Sequence, residues 1–380
     1  MEFFATAAFG LEGIVKQELN RLHIDGKCEM GGVRFSGTAE QCFESNLWLR
    51  TADRVLLIVG EEKVLSFEDL FQFVSSLPWE RYLPKDAHFP VVGKCVKSQL
   101  MSVRDCQAIT KKAIVERLKK KYKTSWFEEN GADYKIEIAI HSDMARLTID
   151  TSGNALNKRG YRTWNGEAPI RETLAAAIAK TARPREDVLF WDPMCGSGTI
   201  AIEAAMIMNN IAPGKRRRFA AEEFPWLDKR YFADAREEAI AGETRSSFEV
   251  YASDIDERAV ALTIQNAKAA GVNHAIRVMR EDCRRIRAEG RRGTIVTNPP
   301  YGERLGTREE VERLYRDIGR HFRSLAPWQV YVITSHEGFE RFYGKKADKV
   351  RKLYNGMIPC YLYQYFKNEK APFDKKKEKG

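Results

Sequence analysis

The chain has 380 residues, of which 43% are hydrophobic, so two or three domains with a real core are possible. Charged residues make up 31% and are mixed in sign, which excludes wholesale disorder, and the net charge of +10 favours a polyanionic partner. The seven cysteines (Cys28, Cys42, Cys95, Cys106, Cys195, Cys283, Cys360) are scattered, odd in number and without a C-x-x-C pair or His cluster; this sets aside a disulfide framework and a zinc site and makes a reducing, intracellular setting the default.

Met1-Glu2-Phe3-Phe4 lacks a basic leader and has Glu12 soon after, so no signal peptide is expected. Residues 3–9 read as a strand broken by Gly10, and Leu11, Ile14, Val15, Leu19 and Leu22 keep helical spacing. Val33-Arg34-Phe35 alternates as a strand, Ala39 to Leu49 reads as a helix, and Val55 to Val59 as a buried strand. The order β-α-β-α-β predicts a small α+β unit over residues 1–60.

Phe67 to Leu77 is an amphipathic helix and 89–96 a strand, followed by Lys97-Ser98 and a helix from Val103 to Tyr122. Between Lys97 and Lys123 stand nine basic residues and two acidic ones, Asp105 and Glu116. Such a face is either plainly solvated or a contact for a nucleic-acid backbone. Residues 136–141 and 145–150 alternate as two strands of a hairpin around Ser142-Asp143. The run Gly93 to Ser102, the basic helix and Thr148-Ile149-Asp150-Thr151-Ser152-Gly153 together resemble a THUMP domain, an RNA-binding module, over residues 61–155. Asn157-Lys158-Arg159-Gly160-Tyr161-Arg162 resembles the linker (156–168) that follows this module in methyltransferases.

Pro169 precedes a strong helix-forming run, Arg171 to Ile178. Val188 to Trp191 is a short buried strand that runs into Asp192-Pro193-Met194-Cys195-Gly196-Ser197-Gly198-Thr199 and then a helix. Its apolar stretch, near Ile200 to Ile211, is interrupted by Glu203 and too short to span a bilayer, so a cytoplasmic chain is expected. Strand, glycine-rich turn and helix form a nucleotide-type site, although the turn lacks the Lys-Ser/Thr pair of a phosphate loop. Lys215-Arg216-Arg217-Arg218 and Phe224-Pro225-Trp226 stand in an insertion between Pro213 and Thr244; it reads as a nucleic-acid-facing loop or as a solvated loop with an aromatic anchor.

Glu249 to Asp256 is a strand ending in Asp254 and Asp256; an acid there can hold both ribose hydroxyls, or cap the helix that follows. Ile276 to Met279 leads to Glu281-Asp282-Cys283, with Asp282 placed to accept from an adenine amine. The fourth strand, Thr294 to Thr297, runs into Asn298-Pro299-Pro300-Tyr301-Gly302-Glu303-Arg304. Two prolines stiffen that ledge, the Asn298 amide oxygen and the Pro299 carbonyl accept hydrogens, and Tyr301 offers a stacking face, which suits a flat group bearing –NH2. A helix over 308–325, a strand over 329–334 and a terminal strand pair (349–354, 358–366) complete a mostly parallel sheet; His336 reads as structural and the tail 371–380, with Lys375-Lys376-Lys377, as a disordered end.

Asp192, Asp254, Asp282 and Asn298 all fall at carboxyl strand ends, where such sheets bind ligands. This half (169–370) resembles class I S-adenosylmethionine-dependent methyltransferases, and with the THUMP region the chain resembles the RlmL-type 23S rRNA guanine-N2 methyltransferases, though from its length the second methyltransferase domain of the longer members is not expected. The resemblance implies an α/β, Rossmann-like catalytic domain behind a ferredoxin-like and THUMP module, with S-adenosylmethionine as cofactor and no metal. It implies cofactor contacts from Thr173, Asp192, Pro193, Cys195, Gly196, Ser197, Gly198, Thr199, Asp254, Ile255, Asp256, Asp282, Cys283 and Asn298, catalysis at Asn298, Pro299, Pro300 and Tyr301, and RNA contacts from Lys97, Ser98, Lys111, Lys112, Lys119, Arg159, Arg162, Arg216 and Arg217. The RNA is 23S rRNA first, with tRNA open; glutamine or adenine acceptors, and a non-enzymatic RNA-binding factor, stand as alternatives.

Overall fold

A computed structural model of the chain describes residues 1–162, 170–300 and 307–366. They form two compact units, one of Met1–Arg159 with Ile211–Glu243, the other of Gly160–Asn210 with Thr244 onward.

The first unit opens with β1 (Glu2–Thr6), α1 (Glu12–Arg21), β2 (Gly26–Glu29), β3 (Gly32–Ser36), α2 (Ala39–Trp48) and β4 (Arg54–Lys63). Strand β2 is absent from the sequence reading: Gly-Lys-Cys-Glu has no apolar alternation, and only its antiparallel pairing with β3 makes it a strand. Helix α2 begins at a capping box in which Thr38 and Gln41 serve each other's backbone N–H groups. Then follow α3 (Phe67–Ser76), β5 (Val91–Val96), α4 (Val103–Tyr122), β6 (Ile136–His141) and β7 (Met144–Asp150). Ser142 and Asp143 both take positive φ, 50° and 63°, as a tight two-residue hairpin requires.

All seven strands form one sheet in the order β2-β3-β1-β4-β7-β6-β5. The ten-residue β4 pairs with β1 through its first half and with β7 along most of its length, past a register shift between Ile58 and Gly60. A boundary at residue 60 therefore falls inside a strand, and the ferredoxin-like and THUMP segments share a sheet.

The second unit begins with α5 (Glu172–Ala182), β8 (Leu189–Asp192) and α6 (Thr199–Met208). The chain then contributes 211–243, with α7 (Lys229–Ala241), to the first unit. The span expected as one domain, 169–370, thus carries an insertion that packs with the first unit. Within the first unit the Phe232 ring meets Phe43 edge-on at 4.4 Å, and Phe224 stacks on Tyr134 at 4.5 Å, so aromatic packing fixes the insertion there. The second unit continues with β9 (Val250–Asp254), α8 (Glu257–Ala270), β10 (Ile276–Arg280), β11 (Gly293–Thr297), α9 (Arg308–Ser324), β12 (Gln329–Thr334), α10 (Phe339–Tyr343), β13 (Lys349–Asn355) and β14 (Ile358–Tyr365).

Its sheet runs β10-β9-β8-β11-β12-β14-β13. The first five strands in that order are parallel, and β14 lies antiparallel between β12 and β13. The chain leaves β8 towards β9 and returns to its other side as β11, so the order reverses between β8 and β11, where such sheets open a ligand crevice. Every residue of β8 and β11 is buried. No helix of the described residues is long and apolar enough to cross a membrane.

Candidate active site

A cavity of about 730 Å³ opens at the carboxyl ends of β8 to β11. Its wall brings together Pro193, Gly196, Asp254, Ile255, Asp256, Asp282, Cys283, Asn298 and Pro300, all named from sequence alone. The volume is that of a nucleoside-sized ligand pocket.

The glycine-rich turn is held by neighbours on both sides. Asp254 Oδ2 accepts from the Gly196 N–H at 2.9 Å, and Asp254 Oδ1 accepts from the Asp256 N–H at 3.0 Å. Each carboxylate oxygen has lone-pair capacity for a second donor, which is what a ribose diol needs. From α8, Thr263 Oγ1 donates to the Gly196 carbonyl and Asn266 Nδ2 to the Ser197 carbonyl, both at 2.9 Å. Gly196 has φ +54°, and a Cβ placed on it would meet nothing within 4 Å, so the turn leaves open space at the cavity wall. Gly198, with φ +77°, is glycine for another reason: a Cβ there would lie 2.6 Å from Thr263 Cγ2.

Asp256 caps α8, accepting from the Arg258 N–H at 2.9 Å, while it also lines the cavity. Ile255 is an exposed aliphatic side chain beside Asp254 and can cover the face of a flat ring. Asp282 is gripped by Arg284, whose Nε donates to both carboxylate oxygens at 2.9 and 3.0 Å. Those hydrogen bonds pull the Asp282 pKa down to about 2, so it remains an ionised acceptor.

Six expected contacts do not line the cavity. Asp192 is 1% exposed and acts behind the wall: its Oδ1 accepts from Thr297 Oγ1 at 2.9 Å, tying the end of β8 to the end of β11. Burial pushes its pKa up to about 7. The buried Cys195 thiol turns to Thr263 Oγ1, 3.5 Å away, and burial raises its pKa well above the ordinary thiol value. Ser197 and Thr199 hydroxyls bond each other at 3.1 Å, and Thr173 is buried in the first turn of α5. Gly198 serves the packing just described.

Asn298 and Pro300 line the cavity, and Pro299 is buried between them. Tyr301, like Gly302-Glu303-Arg304, lies outside the described residues. Sequence reasoning missed the far wall: Arg284, Glu310, Arg313, Leu314 and Asp317. Four of these come from α9, whose helical spacing was legible but whose direction towards the crevice was not.

The residues expected to meet RNA divide. Lys97, Lys112 and Arg216 are exposed, and Ser98 is half-buried with its Oγ accepting from the Leu100 N–H. Lys111 is committed to Glu129 at 2.7 Å and to the face of Phe89, and Lys119 to Glu116 at 3.0 Å. Arg159 and Arg217 are buried and must be removed from the set. Arg217 donates to the Ala155 and Asn154 carbonyls, at 2.9 and 2.6 Å, and Arg159 to the Leu156 and Arg50 carbonyls at 2.5 Å. Arg162 donates to the Ile170 carbonyl and to Thr199 Oγ1, at 2.9 and 3.0 Å, and faces Glu172, so it braces the start of α6.

Three family descriptions match the chain: an RlmL ferredoxin-like domain at residues 2–56, a THUMP domain at 65–150, and an RMKL-like methyltransferase domain at 159–364. A Bacillus subtilis protein named as a candidate RNA methyltransferase, YpsC, is 45% identical over 95% of both chains. A Psychromonas ingrahamii protein named ribosomal RNA large subunit methyltransferase K/L is 35% identical over 98% of this chain, which spans 51% of that relative's length. A solved structure named as a candidate methyltransferase, SMU.472, complexed with S-adenosylhomocysteine, is 43% identical, covers 97% of this chain and 98% of its own, and has a TM-score of 0.90.

Proposed function

The chain belongs to the RMKL-like methyltransferase family, and from that premise we propose that it methylates an exocyclic amine of an RNA base, guanine N2 of 23S rRNA first, with S-adenosylmethionine as cofactor. The observation that carries the reading is one cavity shared by Asn298, Gly196, Asp254 and Asp282. An amine-accepting ledge and a nucleoside-binding wall are thereby adjacent. When bound, S-adenosylmethionine supplies a methyl group made electrophilic by its sulfonium charge. Asp254 would hold the ribose hydroxyls, Asp282 the adenine amine, and Ile255 the ring face.

An aromatic amine is a weak nucleophile because its lone pair is delocalised into the ring. Asn298 and the Pro299 carbonyl would accept its two hydrogens, which favours a pyramidal nitrogen and aims the lone pair. The prolines fix both acceptors before substrate arrives, so the arrangement favours the transition state over the ground state. In this reading the aligned amine needs no strong general base. RNA as acceptor is supported by the THUMP match, the exposed lysines of the first unit and the names of the relatives.

Nucleosides from rRNA and tRNA of a strain lacking the protein should lack one guanine-N2 methyl group, read by mass spectrometry. A full complement of guanine-N2 methylation would refute the acceptor; a missing adenine methyl would replace it. Asn298→Ala should lower turnover by on the order of a hundredfold or more while calorimetry finds donor affinity nearly unchanged. Lost donor affinity with normal turnover at saturation would refute the role of Asn298.

A further inference from the structure

The carboxyl edge of the second sheet has a side that the donor cavity does not use. The cavity draws on β8, β9, β10 and β11, but the sheet continues beyond β11 through β12 and β14 to β13. Thr334, the carboxyl end of β12, lies opposite Tyr361 of the antiparallel β14. The β13–β14 turn, where Asn355 pairs with Ile358, therefore extends past the same edge as Asn298. It stands two to three strands away, about 10–14 Å at the usual strand spacing.

The turn itself is built to be rigid. Gly356 takes φ +67° at the first of its two central positions, the pattern of a II′ hairpin. The Arg171 N–H donates to Asn355 Oδ1 at 3.2 Å, and the Arg171 guanidinium lies beside Gly356. At the tip, Met357 is 93% exposed and Ile358 46% exposed. Behind them β13 carries Lys349, Arg351 and Lys352 and no acid. Single exposed apolar side chains are ordinary; an apolar pair on a fixed tip, beside the Arg171 guanidinium and extending past the catalytic edge, is not.

We propose that the Met357 tip is a wedge for structured RNA: it enters the base stack beside the target nucleotide and keeps a paired target base extruded towards Asn298. This rests on the reading of Asn298 as the amine acceptor. A base inside a duplex is out of reach of the ledge, so it must leave the stack. An unbranched apolar side chain pushed between base steps offsets the lost stacking, and methionine is among those used so. The Arg171 guanidinium beside the turn and Lys352, level with Thr334 at the sheet edge, would neutralise the nearer phosphates.

The test compares Met357→Ala with the unaltered protein on two transcripts that span the target guanine, its position fixed by mass spectrometry of oligonucleotide fragments of the same RNA. In one the target guanine is paired; in the other it is unpaired. The variant should slow methylation of the paired target about tenfold or more, the scale of one lost wedge contact, and leave the unpaired target within about twofold. Donor affinity should not change, and a fully exposed tip residue does not endanger folding. Equal slowing on both transcripts, or none on either, would overturn the wedge. If the unaltered protein methylates neither transcript, the acceptor reading fails instead, so the two failures are distinct.

Discussion

Asp192 offers a quantitative check on how the wall of the cavity is built. Its carboxyl is buried at the end of β8, with the Thr297 hydroxyl and the Met194 N–H donating to Oδ1 at 2.9 and 3.4 Å. Burial outweighs those bonds and pushes its pKa up to about 7, from 3.8 in an exposed chain. Below about pH 4 both folded and unfolded forms are protonated, and the group contributes nothing. Between about pH 4 and 7 the unfolded chain gives up the proton while the folded chain keeps it, so stability falls by about 1.4 kcal/mol per pH unit. Above about pH 7 both are ionised and the full burden, about 4 kcal/mol over three units, is in place. Asp192→Asn keeps an oxygen for both donors but buries an NH2 group, a loss of about 1–2 kcal/mol at any pH. The variant should therefore be about 2–3 kcal/mol more stable than the parent near pH 8 and about 0–1 kcal/mol less stable near pH 4.5. Urea unfolding of the two proteins without donor, compared at each pH so that other groups cancel, gives the crossing directly. A stability difference that stays flat across this range would refute the buried, proton-retaining carboxyl.

Gly198→Ala should destabilise the second unit by about 3 kcal/mol, from the left-handed backbone and the clash with Thr263 Cγ2; adding Thr263→Ser, which removes that methyl, should recover part of it in thermal melts. Arg217→Ala should lower the stability of the first unit by about 2–3 kcal/mol by stranding two carbonyls, yet leave the salt dependence of RNA binding unchanged. The exposed Lys112→Glu should do the reverse, weakening RNA binding and reducing the salt slope by about one. If Arg217→Ala alone changes the slope, that side chain meets RNA after all.

Much of the cavity's lining was legible because it is written in contiguous residues. Asp192 to Thr199, Asp254 to Asp256, Asp282-Cys283 and Asn298 to Pro300 each mark a strand running out into a turn. Parallel topology then carries all four strand ends to one edge. The acidic partner in each turn is local too, so Asp254 and Asp282 could be named without coordinates. Helix α4 was readable over its whole length, because an apolar stripe set among lysines is a repeating signal. The far wall of the cavity was not readable, since helical spacing in α9 says which face is apolar and nothing about which neighbour it meets.

What the sequence by itself determined is the order of elements, the chemistry of the strand-end turns and the charge of the long helix, all set by residues within a few positions of one another. What only the tertiary structure decided is which of those residues are available. Arg217 and Arg216 are neighbours in one basic run, yet one is spent on the carbonyls of residues 154 and 155 and the other is exposed. Arg117 on the basic helix is claimed by Glu80, 37 residues away. Cys195 sits in the glycine-rich turn but faces α8. Residues 211–243 fold with the first unit because their aromatic rings fit there. A charge or ring announces its chemistry locally, but its partner is chosen by packing, and packing joins residues far apart in the chain.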